Sequence, residues 1–361
     1  MSNYVMVESA PNNAEGNHVV TQNDRPTLED VAAFAGVSRS TASRALNGDP
    51  NVSRQAREAV TAAARDLGYS PNQAARSLVT RRTGAVGVVL SEPEELVLAD
   101  PYRTSVMRSA YRELADLGSQ MVLMFCDGRE DVARTVRFLD GGHVDGALVF
   151  APHRADPLPR ALRPLRPPVV FGGPAGNLSR GVHVVDFDNE SGARLAVEYL
   201  LRHGRERIAT VAGPQDQTAA RHRLSGWRKT LSAAGFDSTD LTDLAEEADF
   251  TLDGGRAAMD RLLARRPDLD AVFVASDLMA AGALRALHDA GRRVPGDVAV
   301  VGFDDHPALA TAMNPPLTTV HQNPADQVRH MVATLMALLA GEPIRPHRKV
   351  LEVLMKVRGS A

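Results

Sequence analysis

The chain has 361 residues, 44% hydrophobic and 24% charged, which suits a soluble protein with one small domain and one large or bilobal one and excludes fibrous and membrane classes. Its single cysteine, Cys126, excludes an internal disulfide, makes a cytoplasmic home the expectation, and sits by an apolar run, Met121 to Phe125, that favours a buried strand residue over a catalytic thiol. The net charge of −3 hides an asymmetry: residues 25–82 carry nine arginines against five acids, +4, leaving −7 for the rest. A basic segment on an acidic remainder points to a polyanionic partner for that segment alone.

Residues 1–25 are rich in Asn, Ser and Gln, lack the features of an export signal, and read as a disordered tail. In residues 26–70, Thr27 with Asp30 resembles a capping box, and Leu28, Val31, Ala32 and Ala35 share one helix face, which predicts a helix from Leu28 to Ala35. Gly36 breaks it, and Ser38 caps a second helix from Arg39 to Leu46. A third follows Ser53, places Ala56, Val60, Ala63 and Leu67 on one side, and stops at Gly68. Helix, tight turn, helix is the pattern of a DNA-binding motif, in which the N-terminal side chains of the second helix, here Arg39, Ser40, Ser43 and Arg44, meet base edges. An ordinary helical hairpin has the same local pattern. Residues 71–83 form a linker whose Ala74, Ala75 and Leu78 favour helix over free coil.

From residue 84 onward, short β-rich runs alternate with amphipathic helices. Strands are expected at Val86–Leu90, Gln120–Phe125, Gly146–Phe150, Val169–Phe171, Ile208–Val211, Ala271–Ala275 and Val298–Val301. Helices are expected near 104–117, 131–140, 191–202, 219–234, 253–264 and 278–290. This rhythm is that of an α/β body with parallel sheets covered on both faces. Ligands in such sheets sit beyond the carboxyl ends of strands, so Arg223, Asp277, Asp304 and Asp305 are candidates. A guanidinium and carboxylates converging on a cleft suit vicinal hydroxyls, because each forms paired charge-assisted hydrogen bonds. For Asp277 capping of its helix is the favoured alternative, and for Asp305 a role in a turn. Tyr102, Phe250 and Trp227 could stack on a ring, although a lone Trp is more often core.

Thr27-Leu28-Glu29-Asp30-Val31-Ala32, Ala35-Gly36-Val37-Ser38, Thr41-Ala42-Ser43-Arg44-Ala45-Leu46-Asn47 and Gly68-Tyr69-Ser70-Pro71-Asn72 together resemble the head of the lactose-repressor and galactose-repressor family. Arg-Leu-x-Gly-Trp at Arg223, Val-Gly-Phe-Asp-Asp at Asp304, Asp188-Asn189 and Leu317-Thr318-Thr319-Val320 resemble its body. The resemblance implies a three-helix helix-turn-helix head and a bilobal, periplasmic-binding-protein-like body with two parallel sheets. It divides the body into lobe 1 (about 84–188 plus 321–345) and lobe 2 (about 189–320 plus 346–361). It implies DNA contacts by Thr27, Ser38, Arg39, Ser40, Thr41, Ser43, Arg44, Asn47 and Tyr69. Asn72, Ala75, Arg76 and Leu78 would contact DNA from a hinge helix, with Leu78 as a minor-groove wedge. Effector contacts fall on Tyr102, Arg223, Phe250, Ser276, Asp304 and Gln322. Sugar-binding members often carry Asn where this chain has Ser276, and an acid near Gly172-Gly173, so the usual contacts are incomplete.

The resulting expectation is a repressor that binds pseudo-palindromic double-stranded DNA as a homodimer, under allosteric control by a small-molecule effector of carbohydrate type. The absence of a heptad tail after Arg358 favours a dimer over a tail-linked tetramer. The alternative is a small-molecule-binding module or enzyme on the same bilobal fold. No phosphate-binding loop, GxSxG, HExxH or paired-cysteine site supports an enzyme, and no cofactor or metal is expected. His143, His183, His222 and His306 lack ligand spacing and read as surface or structural.

Overall fold

The computed structural model describes residues 26–70, 82–150, 153–174 and 181–361. The tail at 1–25 and the hinge-helix positions Asn72, Ala75, Arg76 and Leu78 lie outside the described residues. The chain divides into two units, Met1–Arg81 and Arg82–Ala361.

In the first unit, helices α1 (Leu28–Phe34), α2 (Arg39–Leu46) and α3 (Arg54–Asp66) begin at the expected caps. Thr27 and Asp30 form a reciprocal capping box, while Ser38 and Ser53 accept from Thr41 N–H and Ala56 N–H. Each cap satisfies donors that the first helical turn leaves orphaned. Val31, Ala42, Val60 and Ala63, all at most 1% exposed, meet in one small core, with Leu28, Leu46, Leu67 and Tyr69 at its edge.

The second unit contains two six-stranded sheets. The first runs β11-β5-β4-β3-β1-β2, from β1 (Ala85–Leu90), β2 (Gln120–Phe125), β3 (Gly146–Phe150), β4 (Val169–Gly172), β5 (His183–Phe187) and β11 (Arg348–Leu351). All its pairings are parallel. The period-two geometry of a strand sends Val86, Val88 and Leu90 to one core, and Val89 with Ala147 and Val149 to another. One face is covered by α5 (Pro101–Asp116) and α14 (Pro324–Leu339). The other lies under α6 (Gly128–Asp140) and α7 (Leu158–Leu162).

The second sheet runs β12-β10-β9-β8-β6-β7, from β6 (Ile208–Ala212), β7 (Ala245–Glu247), β8 (Ala271–Val274), β9 (Ala299–Asp304), β10 (Thr318–His321) and β12 (Leu354–Lys356). All neighbours are parallel except β12 against β10. Helices α8 (Asn189–Arg202), α9 (Thr218–Ala233), α11 (Leu252–Arg265) and α12 (Asp277–Asp289) enclose it. Shorter helices α4 (Glu94–Ala99), α10 (Ser238–Asp243) and α13 (Pro307–Ala310) lie in connections.

The chain passes between the sheets three times, near residue 188, at 322–323 and at 352–353. The last crossing corrects the expected lobe boundary. Arg348–Leu351 pairs with Val184–Phe187 of the first sheet, so the terminal segment is shared and does not belong wholly to lobe 2. Among the described residues, no helix is long and apolar enough to cross a membrane.

Trp227 is fully buried and its indole N–H donates to Ile208 O at 3.2 Å. It is a core residue rather than a ring-stacking one. Trp227→Ala is expected to cost about 3–5 kcal/mol through lost burial and an unfilled cavity, read by urea denaturation of the purified protein.

Candidate functional site

Strand ends and helix starts of both lobes meet around a cleft, as the carboxyl edges of parallel strands require. Tyr102, Arg223, Phe250, Ser276, Asp304 and Gln322 all line this one cavity. Asp100, Arg103, Asp186, Asn189 and Gln327 extend its polar wall. Of these, only Asn189 stood out in the sequence, through its Asp-Asn motif. The others are charged or polar residues among many, and only the crossing of the lobes brings them together.

Arg223 is the centre of the site. It projects from the first turns of α9, one helical turn before Trp227, so the core residue fixes the face from which the arginine emerges. Gly226 permits this placement. A Cβ there would lie 2.3 Å from Glu190 O on α8, and that close approach explains the glycine of the Arg-Leu-x-Gly-Trp motif. The guanidinium donates from Nε to Asn189 Oδ1 at 2.9 Å, from Nη1 to Ala275 O at 2.6 Å, and from Nη2 to Gln322 Oε1 at 3.5 Å. It lies 3.6 Å above the Phe303 ring and 3.6 Å from Asp304 Oδ1. Every face of a 5% exposed cation is thus engaged.

Asp304 ends β9 with φ +120°, a sparsely populated conformation of the kind held only where surroundings over-determine it. Its Oδ1 accepts from Gln322 Nε2 at 2.7 Å. Burial holds its carboxyl well above the usual range, with Arg223 opposing. Asn189 also donates to Asp186 Oδ1 at 3.3 Å, and Arg348 to Asp186 Oδ2 at 2.8 Å. A continuous polar floor therefore runs Arg348, Asp186, Asn189, Arg223, Asp304, Gln322 across both lobes. Burial likewise raises Asp186 and Asp100.

Two aromatic rings flank the floor. Tyr102 follows the Asp100 cap of α5, its hydroxyl 3.5 Å from Gln327 Oε1, and burial raises its phenol above the ordinary value. Phe250, at φ +63°, lays its ring on Gly213, where a Cβ would come within 2.3 Å of a ring carbon.

Asp277 is not part of the cavity wall. Ser276 caps α12, accepting from Met279 N–H at 3.2 Å, so the expected capping role falls one residue earlier. Asp277 instead accepts from the Thr319 hydroxyl at 2.6 Å and from His306 N–H at 2.8 Å. It clamps β10 and the loop after β9. Asp305, at φ +56°, bonds Arg358 and, at 3.0 Å, His321 Nδ1, a structural role in the turn. Cys126 is buried just beyond β2, its thiol pushed up to about 11 by burial, which leaves it unreactive.

In the first unit, Arg39, Ser40, Ser43 and Arg44 lie on the exposed or half-exposed face of α2. Ser38, Ser40 and Thr41 hydroxyls share bonds of 2.9 Å, and Arg44 Nε reaches Ser40 O at 3.3 Å. Asn47 Nδ2 lies 3.5 Å from Ser43 Oγ. The Arg39 guanidinium, 71% exposed, is paired with Glu29 of α1. Thr27 and Ser38 act as caps, and Tyr69 packs on the small core.

A helix-turn-helix unit and a ligand-sized interlobe cleft on one chain define an effector-responsive DNA-binding transcriptional regulator. Residues 27–72 match the model described as bacterial regulatory proteins, lacI family, and residues 197–361 match a periplasmic binding protein-like domain. The HTH-type transcriptional regulator CelR of Thermobifida fusca is 47% identical over 339 residues, covering 93% of this chain and 98% of the relative. A solved transcriptional regulator CelR–cellobiose complex shares 45% identity and a TM-score of 0.73, covering 93% of this chain and all of that one (100%). The lac repressor dimer bound to operator and the anti-inducer ONPF shares 30% identity and a TM-score of 0.81, covering 93% and 99%. The chain belongs to the lacI family of bacterial regulatory proteins and is a transcriptional regulator, not an enzyme.

Proposed function

We propose that this chain is a cytoplasmic repressor that binds a pseudo-palindromic operator as a homodimer and reads an uncharged sugar of the cellobiose class in its cleft. The observation that carries the sugar reading is the pairing of the cavity's cations. Both lining arginines are paired, Arg223 with Asp304 at 3.6 Å and Arg103 with Glu92 at 2.7 Å and Asp100 at 3.2 Å. Asp100, Asp186 and Asp304 outnumber those cations in the wall. Carboxylates accept from sugar hydroxyls and the rings of Tyr102 and Phe250 cover an apolar sugar face, whereas an added phosphate would meet no uncommitted cation in that wall. The cellobiose complex of CelR supports the same class. In calorimetric titration, cellobiose is expected to bind and glucose 6-phosphate to bind at least about 100-fold more weakly, the cost of placing a dianion beside buried carboxylates. Equal affinity for the phosphate would overturn the uncharged-sugar reading.

Homodimer formation is supported by the first sheet. Strand β2 ends the sheet without an outer partner among the described residues, and Leu96, Leu98, Tyr111, Leu117 and Leu123 are exposed on it and on the adjoining α4 and α5 region. An open edge with such an apolar surface is covered in stable proteins, and a second copy covers it symmetrically. Two α2 helices presented by a dimer suit two half-sites about one DNA turn apart. The proposed contacts are Arg39, Ser40, Ser43 and Arg44 to bases, with Thr27, Thr41, Asn47 and Tyr69 to the backbone. Electrophoretic shift with upstream DNA, repeated with cellobiose, tests the operator and the effector together.

A further inference from the structure

Outside the polar floor, one titratable side chain bridges the two lobes. His153, in the loop after β3, turns Nδ1 to Asp216 Oδ2 at 2.7 Å and Nε2 to Glu92 Oε1 at 3.3 Å. Glu92 follows β1 in the first lobe, and Asp216 lies in the loop after β6 in the second. The contact is reinforced on both sides. Gln217 Nε2 donates to Glu92 Oε1 at 2.7 Å, Arg154 N–H donates to Asp216 O at 2.8 Å, and residues 153 and 217 form an antiparallel bridge.

We propose that these residues form an interlobe latch in which protonated His153 holds the cleft closed, so that closing is coupled to proton binding at His153. An imidazolium has two N–H donors and so satisfies both carboxylates. Neutral imidazole has one, and its remaining lone pair must face a carboxylate. The groups that face His153 are these two acids. On the same lobe Arg103 is paired with Glu92 and Asp100, while Arg154 and Asp156 follow His153 in the same loop and Asp156 bonds Ser91. Glu92, first through its bond to His153, and then Asp216 raise the imidazole to about 9 despite its burial. His153 and Arg103 lower Glu92 although burial pushes it the other way, so the anion is present at neutral pH.

When the lobes part, His153 keeps Glu92 on its own lobe but loses Asp216, and holds its proton less tightly. The latch energy is therefore fully present below the open-form value and is lost as pH rises through about 9. For an effector that favours closed lobes, affinity falls with pH over that window, a consequence that rests on the cleft being the effector site. The latch itself does not.

The test uses the full chain without effector. Spin labels placed at exposed Arg129 and Asp260 through Arg129→Cys and Asp260→Cys report the interlobe distance, diluted with unlabelled protein to suppress distances between copies. The expected result is a separation that lengthens between pH 7 and pH 10. His153→Gln, and independently the substitution Asp216→Asn at a 57% exposed position, are expected to abolish that pH response. A distance unaffected by pH, or a pH response retained in either variant, would overturn the latch. Because no sugar is present, the outcome is independent of whether cellobiose binds.

Discussion

Arg223→Ala is expected to remove effector binding and also to lower the stability of the body by about 3–5 kcal/mol, because truncation leaves three buried acceptors without their donor as well as Asp304 without its partner. The guanidinium bonds Asn189, Ala275 and Gln322 and stacks on Phe303, so its loss disconnects the two halves of the polar floor. That structural burden separates it from Asp304→Asn. The carboxyl of Asp304 already sits well above the usual range through burial, and the amide keeps its shape and its acceptor for Gln322. Asp304→Asn is therefore expected to fold and to weaken cellobiose binding by about 1.5–3 kcal/mol, ten-fold or more. Guanidinium denaturation and calorimetry on the two variants separate the effects. Undiminished cellobiose affinity in Asp304→Asn would move the effector site away from this floor.

Arg39→Ala should change which DNA is bound more than whether DNA is bound. Arginine at the start of a recognition helix reaches both acceptors of guanine, so its removal is expected to cost about 1–3 kcal/mol at one base pair per half-site and to leave other positions unaffected. In the free protein the side chain is held by Glu29 of α1. Engagement with a base exchanges that exposed pair, worth at most about 1 kcal/mol, for a bidentate contact. Glu29→Gln is accordingly expected to raise operator affinity by up to about five-fold without relaxing base preference. Fluorescence anisotropy with single-base operator variants, at several salt concentrations, resolves both outcomes. A uniform loss across all variants in Arg39→Ala would make Arg39 a phosphate contact.

The three helices of the first unit were legible from local signals alone. Thr27, Ser38 and Ser53 each satisfy orphaned amides within three residues, and Gly36 and Gly68 adopt the positive φ that ends a helix. Short-range hydrogen bonding and backbone sterics decide such boundaries, and both are written in neighbouring residues. The runs of β1, β3 and β8 were legible for a related reason, since strands buried on both faces are continuously apolar. Terminal strands β11 and β12 were not. Arg348–Leu351 reads as polar and exposed, and becomes a strand only because the edge of β5 is open to it.

The same division runs through the site. The Arg-Leu-x-Gly-Trp and Val-Gly-Phe-Asp-Asp motifs marked Arg223 and Asp304, because each motif packs its own helix or strand end while presenting one polar group. Asp277 belongs to the clamp on β10 rather than to the cleft, a distinction set by which way a buried carboxylate points. Glu92, Asp186, His153 and Asp216 carried no local signal, since their chemistry depends in part on distant partners, such as the pairs His153 with Asp216, 63 residues apart, and Asp186 with Arg348, 162 apart. The amino-acid sequence by itself determined the fold class, the helix-turn-helix and the two motif residues of the cleft. The tertiary structure decided which polar groups pair across the lobes, because burial and apposition set the charge state of a side chain and neither is a property of its neighbours in the chain.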